Sequence, residues 1–401
     1  MIFAGLAGAI IWTVTTWYAG IPSSSSHALI GGVVGAMLAD KGSMAVQWNG
    51  VFSNVLFPAI LAIAVTGVVA AVATWLALRI TDDVDDKPRA AGFRLAQKGS
   101  ASMIALAHGT NDAQKTMGII TLALIANNTI SSTTQTPPTW VVAACGTAIA
   151  LGAFVGGWRI IRTLGKGLTT LEPPQGFAAE TSSAATILTS SYLGFPLSTT
   201  QVCTSSVVGS GIDAKVDIRW PVFGRMIVAW VLTFPSALGV GTLTFSTQDA
   251  IGGNIGVGVT TGLLGLVCLI VFVLSRRNPI TPSNVNDDWD PTDELPVAEP
   301  AAITSSNQSG GSMSIIIAAV TATSTAPKPL IDWAALGQPV AYSLVIGFII
   351  VTVVAFSIRL HAAGEKDDGG TSVLENVGAW LGVLSVVSAA ATGIWFILHK
   401  G

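Results

Sequence analysis

A cluster of polar side chains interrupts a long apolar stretch between residues 101 and 126. Four of its members recur at positions i, i+3, i+4 and i+7: His108, Asn111, Asp112 and Lys115. This spacing places them on one face of a helix. An Asp or Lys at the centre of a membrane-spanning helix costs about 2.5 to 3.5 kcal/mol, so the cluster indicates a functional site. A structural ion pair between two spans is the alternative.

The side chains of this cluster have the chemistry of a cation site. Oxygens of Asp112, Asn111 and Thr110 suit a hard cation such as Na⁺, and Asp112 could instead carry a proton. Lys115 can neutralise Asp112. Two accessory polar groups accompany them, His108 and Gln114, and His108 is either a packing residue or a proton relay. The stretch therefore predicts a site for a coupling ion, H⁺ or Na⁺.

A second motif occurs twice, 174 positions apart. Residues 20–27 read Gly-Ile-Pro-Ser-Ser-Ser-Ser-His, and residues 194–201 read Gly-Phe-Pro-Leu-Ser-Thr-Thr-Gln. Each hydroxyl cluster follows a proline and precedes a helix-forming run, so each predicts a helix N-terminus that favours an anion. Ordinary helix caps are the alternative. The candidate anion-binding residues are Ser24, Ser25, Ser26, Ser198, Thr199 and Thr200, with His27 and Gln201 as flanking polar groups.

The composition is that of a membrane protein. Hydrophobic residues make up 51% of the 401 residues and charged residues only 10%, whereas a soluble domain carries about 25% charged residues. Such a composition predicts an all-α polytopic protein of the plasma membrane. We expect it to contact the lipid bilayer and not to bind nucleic acid. Predicted spans lie near residues 2–19, 55–80, 101–126, 140–158, 221–245, 254–275, 340–360 and 376–398.

The distribution of these spans predicts two repeats. Polar clusters that break apolar sequence in both halves of a membrane protein indicate a transporter with a solute site between repeats and two re-entrant or broken-helix hairpins. The segments are a first repeat (1–80), a charged cytoplasmic loop (81–99), a second repeat (100–275), an acidic Pro/Ser-rich linker (276–339) and two C-terminal helices (340–398). We expect the last two helices to form an accessory anchor outside the pathway.

At these residues the chain resembles the inorganic phosphate transporter family, the low-affinity bacterial phosphate permeases. Residues 108–118 look like its second-repeat signature, with Thr110 where Ala is usual, and residues 20–35 and 194–200 look like its paired hairpin motifs. The resemblance implies an inverted-repeat fold, with phosphate bound at mid-membrane by Asn111, the Ser198 to Thr200 cluster and Ser25 with Ser26, and a coupling cation near Asp112.

The chain also departs from that family's pattern. The family's first repeat opens with a Gly-Phe-His-Asp-Thr-Ala-Asn-Ala type motif, and no such string occurs in these 401 residues. We therefore expect the first repeat to be N-terminally incomplete. Gln201 replaces the His seen at position 27, and Ser25 with Ser26 replaces a more usual Thr pair.

The sequence predicts a secondary transporter that imports inorganic phosphate by symport with H⁺ or Na⁺. A sulfate permease of the same superfamily and a truncated, transport-inactive membrane protein are the alternatives. An intramembrane hydrolase is disfavoured because Gly209-Ser210-Gly211 lacks the setting of a nucleophile elbow. We expect no catalytic residue, metal ligand or cofactor. Glycine-rich spans would permit a homodimer.

Overall fold

The computed structural model describes residues 1–134, 136–281, 283–285 and 333–365, and every regular element among them is helical. The helices are α1 (Ile2–Tyr18), α2 (Ser25–Lys41), α3 (Trp48–Val51), α4 (Phe57–Ile80), α5 (Asp86–Ala126), α6 (Thr139–Gly156), α7 (Trp158–Arg162), α8 (Pro173–Leu193), α9 (Thr199–Asp213), α10 (Trp220–Ile251), α11 (Gly253–Ser275) and α12 (Trp333–Glu365). The all-α prediction is thereby confirmed.

Two helical hairpins carry the doubled motif at their turns. Helices α1 and α2 form hairpin 1, and helices α8 and α9 form hairpin 2. Both turns begin with a glycine in the left-handed region, Gly20 at φ +68° and Gly194 at φ +85°, a conformation that costs glycine little. Both second helices begin after a serine cap, Ser24 or Ser198. The prediction that the hydroxyl clusters start helices is confirmed.

Each hairpin packs against the long helix that follows the other hairpin in the chain. Hairpin 1 packs against α10, and hairpin 2 packs against α4. The closest approaches occur at glycines in matching positions of the motif. A Cβ on Gly35 would clash with the Leu238 carbonyl on α10, and a Cβ on Gly209 would clash with the Gly67 carbonyl on α4. The two halves of the molecule are therefore interlocked and built alike.

Helix α12 packs inside the second half of the molecule. Its side chains Val351 and Val354 are buried in the same apolar cluster as Phe177 and Ile187 of α8, and α12 also contacts α4 and α5. One face of this helix completes the apolar core around hairpin 2, and the expectation that it is an accessory anchor outside the pathway stays a prediction. The helix predicted at residues 376–398 and most of the predicted linker lie outside the described residues.

Among the described residues, four helices are long and apolar enough to cross a membrane: Trp48–Ile80, Trp220–Ile251, Gly253–Ser275 and Val340–Ala362. A fifth candidate is a pair bent by 60°, Thr139–Phe154 with Trp158–Gly167. Helix α1 is a shorter apolar helix of 17 residues, which is at the lower end of the range of about 17–25 residues for a span. It forms one arm of hairpin 1, and the complete span at 2–19 stays a prediction.

Helix α5 differs from its prediction in two ways. It starts at Asp86 and runs for 41 residues, so only residues 81–85 of the predicted loop at 81–99 lie outside a helix. The predicted span at 101–126 is not among the helices that are apolar enough to cross a membrane. The polar cluster lowers the hydropathy of this stretch, so composition alone does not identify it as a span.

Candidate functional site

Lys115 of α5 joins the turns of the two hairpins. Its Nζ donates to Ser26 Oγ of hairpin 1 at 2.5 Å and to the Leu197 carbonyl of hairpin 2 at 2.7 Å. Its third bond goes to Asp112 Oδ1 at 3.1 Å. Ser26 Oγ in turn donates to the Leu197 carbonyl at 3.3 Å. The N-terminus of α2 and the start of α9 therefore meet beside the polar face of α5.

Asn111 fixes the turn of hairpin 2. Its Nδ2 donates to the Leu197 carbonyl at 3.0 Å and to Asp112 Oδ1 at 3.2 Å, and its Oδ1 accepts from Ser191 Oγ at 3.2 Å. Only 3% of the residue is exposed. Because a buried amide without partners is costly, these bonds hold α5 and hairpin 2 in one register.

The charges at this junction compensate each other. The side chains of Lys115 and Asp112 are only 12% and 18% exposed, and burial of an unpaired charge would cost several kcal/mol. His108 Nδ1 lies 3.7 Å from Asp112 Oδ2, with its side chain 49% exposed. The helical face predicted from the i, i+3, i+4 and i+7 spacing is confirmed, and Asp112 lies at its centre.

Capping at the two hairpins leaves matching donors free. Ser24 Oγ accepts from the His27 N–H at 3.2 Å, and Ser198 Oγ accepts from the Gln201 N–H at 3.4 Å. His27 Nδ1 also lies 2.7 Å from Ser24 Oγ. Within the described part of the chain, the N–H groups of the two residues after each cap have no backbone acceptor: Ser25, Ser26, Thr199 and Thr200.

Some predicted site residues lie at the edge of this junction. Ser25 and Gln114 are exposed, and Thr110 and Thr200 are partly buried. Among the described residues, none of these four side chains makes a hydrogen bond to the Lys115 junction. Thr199 is 5% exposed and directly follows the cap of α9. Thr110 contributes no contact to Asp112, so its predicted place in a cation site stays a prediction.

Two groups at the junction were missed by sequence reasoning. The Leu197 carbonyl accepts from three side chains, yet a backbone carbonyl leaves no mark in the residue types. Ser191, which donates to Asn111, lies three positions before Gly194 in a run of hydroxyl residues that could have drawn attention to it. No group of three or more His, Cys, Asp or Glu side chains that could hold a metal ion occurs among the described residues.

The interior around hairpin 2 contains buried hydroxyls without partners. Eight buried side-chain oxygens on α4, α8 and α9 have no hydrogen-bond partner among the described residues: the hydroxyls of Thr66, Thr74, Thr181, Ser182, Thr204 and Ser210, and Oε1 of Gln175 and Gln201. Most buried polar groups in proteins are paired. This half of the interior is therefore unusually polar for a membrane protein core.

Comparison with known proteins gives a family assignment. The model of the phosphate transporter family matches residues 1–91 and 79–241. The chain belongs to the phosphate transporter family. The two overlapping matches meet between the hairpins, where the interlocked halves of this phosphate transporter family member are joined. Membership in the family and the apolar helices make it a multi-pass protein of the plasma membrane.

Curated relatives support the same assignment. A probable low-affinity inorganic phosphate transporter of Mycobacterium tuberculosis is 53% identical over 291 residues, which cover 72% of this chain and 70% of the relative. Proteins with the same description are 43% identical over 256 residues in Rhizobium meliloti (63% and 75% coverage) and 39% identical over 246 residues in Bacillus subtilis (61% and 73%). No solved structure matches this member of the phosphate transporter family.

Proposed function

We propose that this protein imports inorganic phosphate across the plasma membrane by symport with a cation. The observation that carries the proposal is the meeting of two capped helix N-termini at the Lys115 junction, where Ser26 of α2 bonds to the carbonyl that precedes the cap of α9. Phosphate is the anion in the family description and in the descriptions of the relatives.

The phosphate site is proposed between the first turns of α2 and α9. Each turn offers two N–H groups without a backbone acceptor, and the positive end of each helix dipole favours an anion. The hydroxyls of Ser25, Thr199 and Thr200 add donors on the same two turns. Neutral donors without an arginine cluster favour release as well as binding, which a transport cycle requires.

Asn111 and Asp112 connect this anion site to α5. Asn111 is already bonded to Leu197 and Ser191, so it positions hairpin 2, and its predicted direct contact with phosphate stays part of the proposal. Asp112 is paired with Lys115, so a coupling cation would act by changing the balance of charge in this pair. A proton on the Asp112 carboxylate would leave the Lys115 charge uncompensated, raise the positive potential at the helix N-termini and so favour the anion, which is the coupling that symport needs.

Sulfate is the second candidate for the anion. Helix N-termini bind either tetrahedral anion, and nothing in the contacts distinguishes a monohydrogen phosphate from a sulfate. The family match and the descriptions of the relatives favour phosphate. Competition during uptake of radiolabelled phosphate separates the two anions. In a sulfate permease, unlabelled sulfate would inhibit this uptake at a lower concentration than unlabelled phosphate does.

Uptake of radiolabelled phosphate into proteoliposomes tests the proposal. We expect uptake to require an inward gradient of H⁺ or Na⁺ and to fall about tenfold or more in Thr199→Ala, because a donor at the anion site is lost. Thr247→Ala is the matched control, since its hydroxyl bonds within α10 on an exposed surface. The proposal would be contradicted if Thr199→Ala took up phosphate as fast as the wild type. It would also be contradicted if uptake by the wild type were the same with and without a gradient of H⁺ or Na⁺.

A further inference from the structure

The ammonium group of Lys115 lies in a cage of three oxygens from three different elements. The oxygens are a carboxylate of α5 (Asp112 Oδ1), a hydroxyl of α2 (Ser26 Oγ) and the backbone carbonyl of Leu197 between α8 and α9. Nζ lies 3.1 Å from Asp112 Oδ1, 2.5 Å from Ser26 Oγ and 2.7 Å from the Leu197 carbonyl oxygen. All three N–H donors of an ammonium group are thereby used.

The same three oxygens form the kind of ligand set that binds a hard monovalent cation. Hard cations take carboxylate, hydroxyl and carbonyl oxygens, and transporters coordinate Na⁺ with carbonyls of interrupted backbone between half-helices. Leu197 supplies such a carbonyl, since it precedes the capping residue of α9. A contraction of a few tenths of an ångström would bring these oxygens to the roughly 2.3–2.6 Å found around a hard cation of this size.

Lys115 reaches the cage because it lies one helical turn after Asp112 on α5. The pair is mostly buried, with side-chain exposures of 12% and 18%, and a charge held there without a partner would be costly. A free cation could enter only if the ammonium left, because the two would compete for the same three oxygens and the same negative charge. The two cations are therefore mutually exclusive at this point.

We propose that Lys115 is a tethered cation that occupies a sodium site formed by Asp112, Ser26 and the Leu197 carbonyl, so that this protein transports without Na⁺. The proposal rests on the proposed function, because it states which cation the symporter does not need. The covalently attached ammonium supplies the positive charge that links Ser26 and Leu197. Removal of the side chain should expose a site that Na⁺ can fill.

The first test measures Na⁺ binding through stability and does not depend on transport. The purified protein is heated in NaCl and in choline chloride at equal ionic strength. We expect the melting temperature of Lys115→Ala to rise with Na⁺ in a saturable manner, since a ligand that binds only the folded state stabilises it. Wild type, Lys115→Met and the exposed-lysine control Lys41→Ala should show no Na⁺-specific shift.

Lys115→Met is the informative comparison, because it removes the charge but fills the space of the side chain. Equal Na⁺ shifts in Lys115→Ala and Lys115→Met, a Na⁺ shift in wild type, or no Na⁺ shift in Lys115→Ala would each overturn the proposal. If Lys115→Ala does not fold in choline, recovery of the folded protein during purification in NaCl is the equivalent readout, and failure to fold in both salts overturns the proposal as well.

The second test uses phosphate uptake into proteoliposomes. Wild-type uptake should be the same in Na⁺ and in choline, whereas uptake by Lys115→Ala should be about tenfold higher in Na⁺ than in choline, a ratio typical of coupling between two sites. A Na⁺ requirement in wild type would overturn the tethered-cation proposal and leave phosphate symport intact. Absence of phosphate uptake by wild type in every gradient would instead overturn the proposed function, while the melting experiment would still decide the sodium site.

Discussion

The two hairpins have the same turn and different surroundings. Both turns begin with a left-handed glycine and continue to a serine cap. In hairpin 1, 6 of the 17 residues of α1 are buried, whereas in hairpin 2, 16 of the 21 residues of α8 are buried. Helices α4, α5, α9 and α12 all contact α8. The repeated element is therefore the turn that offers N–H groups, and its environment is specific to each half.

The hairpins also differ in how their polar groups are satisfied. Tryptophans anchor hairpin 1: Trp230 Nε1 donates to the Pro22 carbonyl at 2.9 Å, and Trp12 Nε1 donates to Thr233 Oγ1 at 3.0 Å. Hairpin 2 is held by Asn111, and its interior keeps the unpaired hydroxyls described above. Hairpin 1 is therefore tied to α10 by tryptophan N–H groups, whereas hairpin 2 is tied to α5 by Asn111.

The largest effect is expected where the two halves are most alike. A Cβ at Gly35 or Gly209 would meet a backbone carbonyl of the opposing helix, and backbone cannot move aside as a side chain can. Gly35→Ala and Gly209→Ala should each lower the free energy of unfolding by about 2–3 kcal/mol, since overpacking costs this much. Thermal unfolding in detergent measures the change.

Gly146→Ala is the matched control, because a Cβ there would meet no other atom within 4 Å. It should be neutral or stabilising by up to about 1 kcal/mol, the gain of alanine over glycine in a helix. A large loss at Gly209 with none at Gly35 would show that the halves are not interlocked in the same way.

An intermediate effect is expected from the residue that serves only hairpin 2. Asn111→Ala removes one acceptor of the buried Ser191 hydroxyl and one of the three donors to the Leu197 carbonyl, and the loss of these buried hydrogen bonds should cost about 1–3 kcal/mol. Phosphate uptake should fall about tenfold or more, because the turn of hairpin 2 loses its register.

The control for Asn111 is a second uptake measurement with Asn127→Ala, whose amide bonds only to exposed Thr129. That variant should transport like wild type. Normal uptake by Asn111→Ala would mean that the fixation of hairpin 2 by α5 is not needed for transport.

The smallest effect is expected from the caps. Ser24→Ala and Ser198→Ala each remove one side-chain acceptor at a helix N-terminus, a change worth about 1 kcal/mol. Ser24→Ala should be the more destabilising, because His27 Nδ1 also loses its partner. Melting temperatures of the two variants, measured with the same lipid and detergent, decide the order. A greater loss in Ser198→Ala would mean that the contact between Ser24 Oγ and His27 Nδ1 adds nothing to the cap of α2.

Much of this fold was predictable from the sequence because it depends on local chemistry. The repeated Gly-x-Pro-x-Ser pattern predicted both turns and both helix starts, since glycine conformation and serine capping act over a few residues. The i, i+3, i+4 and i+7 spacing likewise predicted the face shared by Asp112 and Lys115. These features hold because they are set within one helical turn.

The remaining features depend on contacts between distant parts of the chain. The role of the Leu197 carbonyl cannot be read from residue types, because every residue has a backbone carbonyl. Each hairpin packs against the long helix that follows the other hairpin, and this arrangement depends on close contacts of glycines that no single segment reveals. The packing of α12 against hairpin 2 was not predicted, because its composition is that of any apolar span.

The central claim is that phosphate binds between the first turns of α2 and α9, with donors from both hairpins. Calorimetric titration of purified protein with phosphate tests it directly, using Ser25→Ala for hairpin 1 and Thr200→Ala for hairpin 2. Neither hydroxyl is bonded to another described residue, so both variants should fold normally.

The account predicts that each variant weakens phosphate binding about three- to tenfold, the loss expected for one hydrogen bond of about 0.5–1.5 kcal/mol. Phosphate binding should be weaker in the double variant than in either single variant, because both residues contact one ligand. Weakened binding in only one of the two single variants, or in neither, would contradict a site shared by the two hairpins.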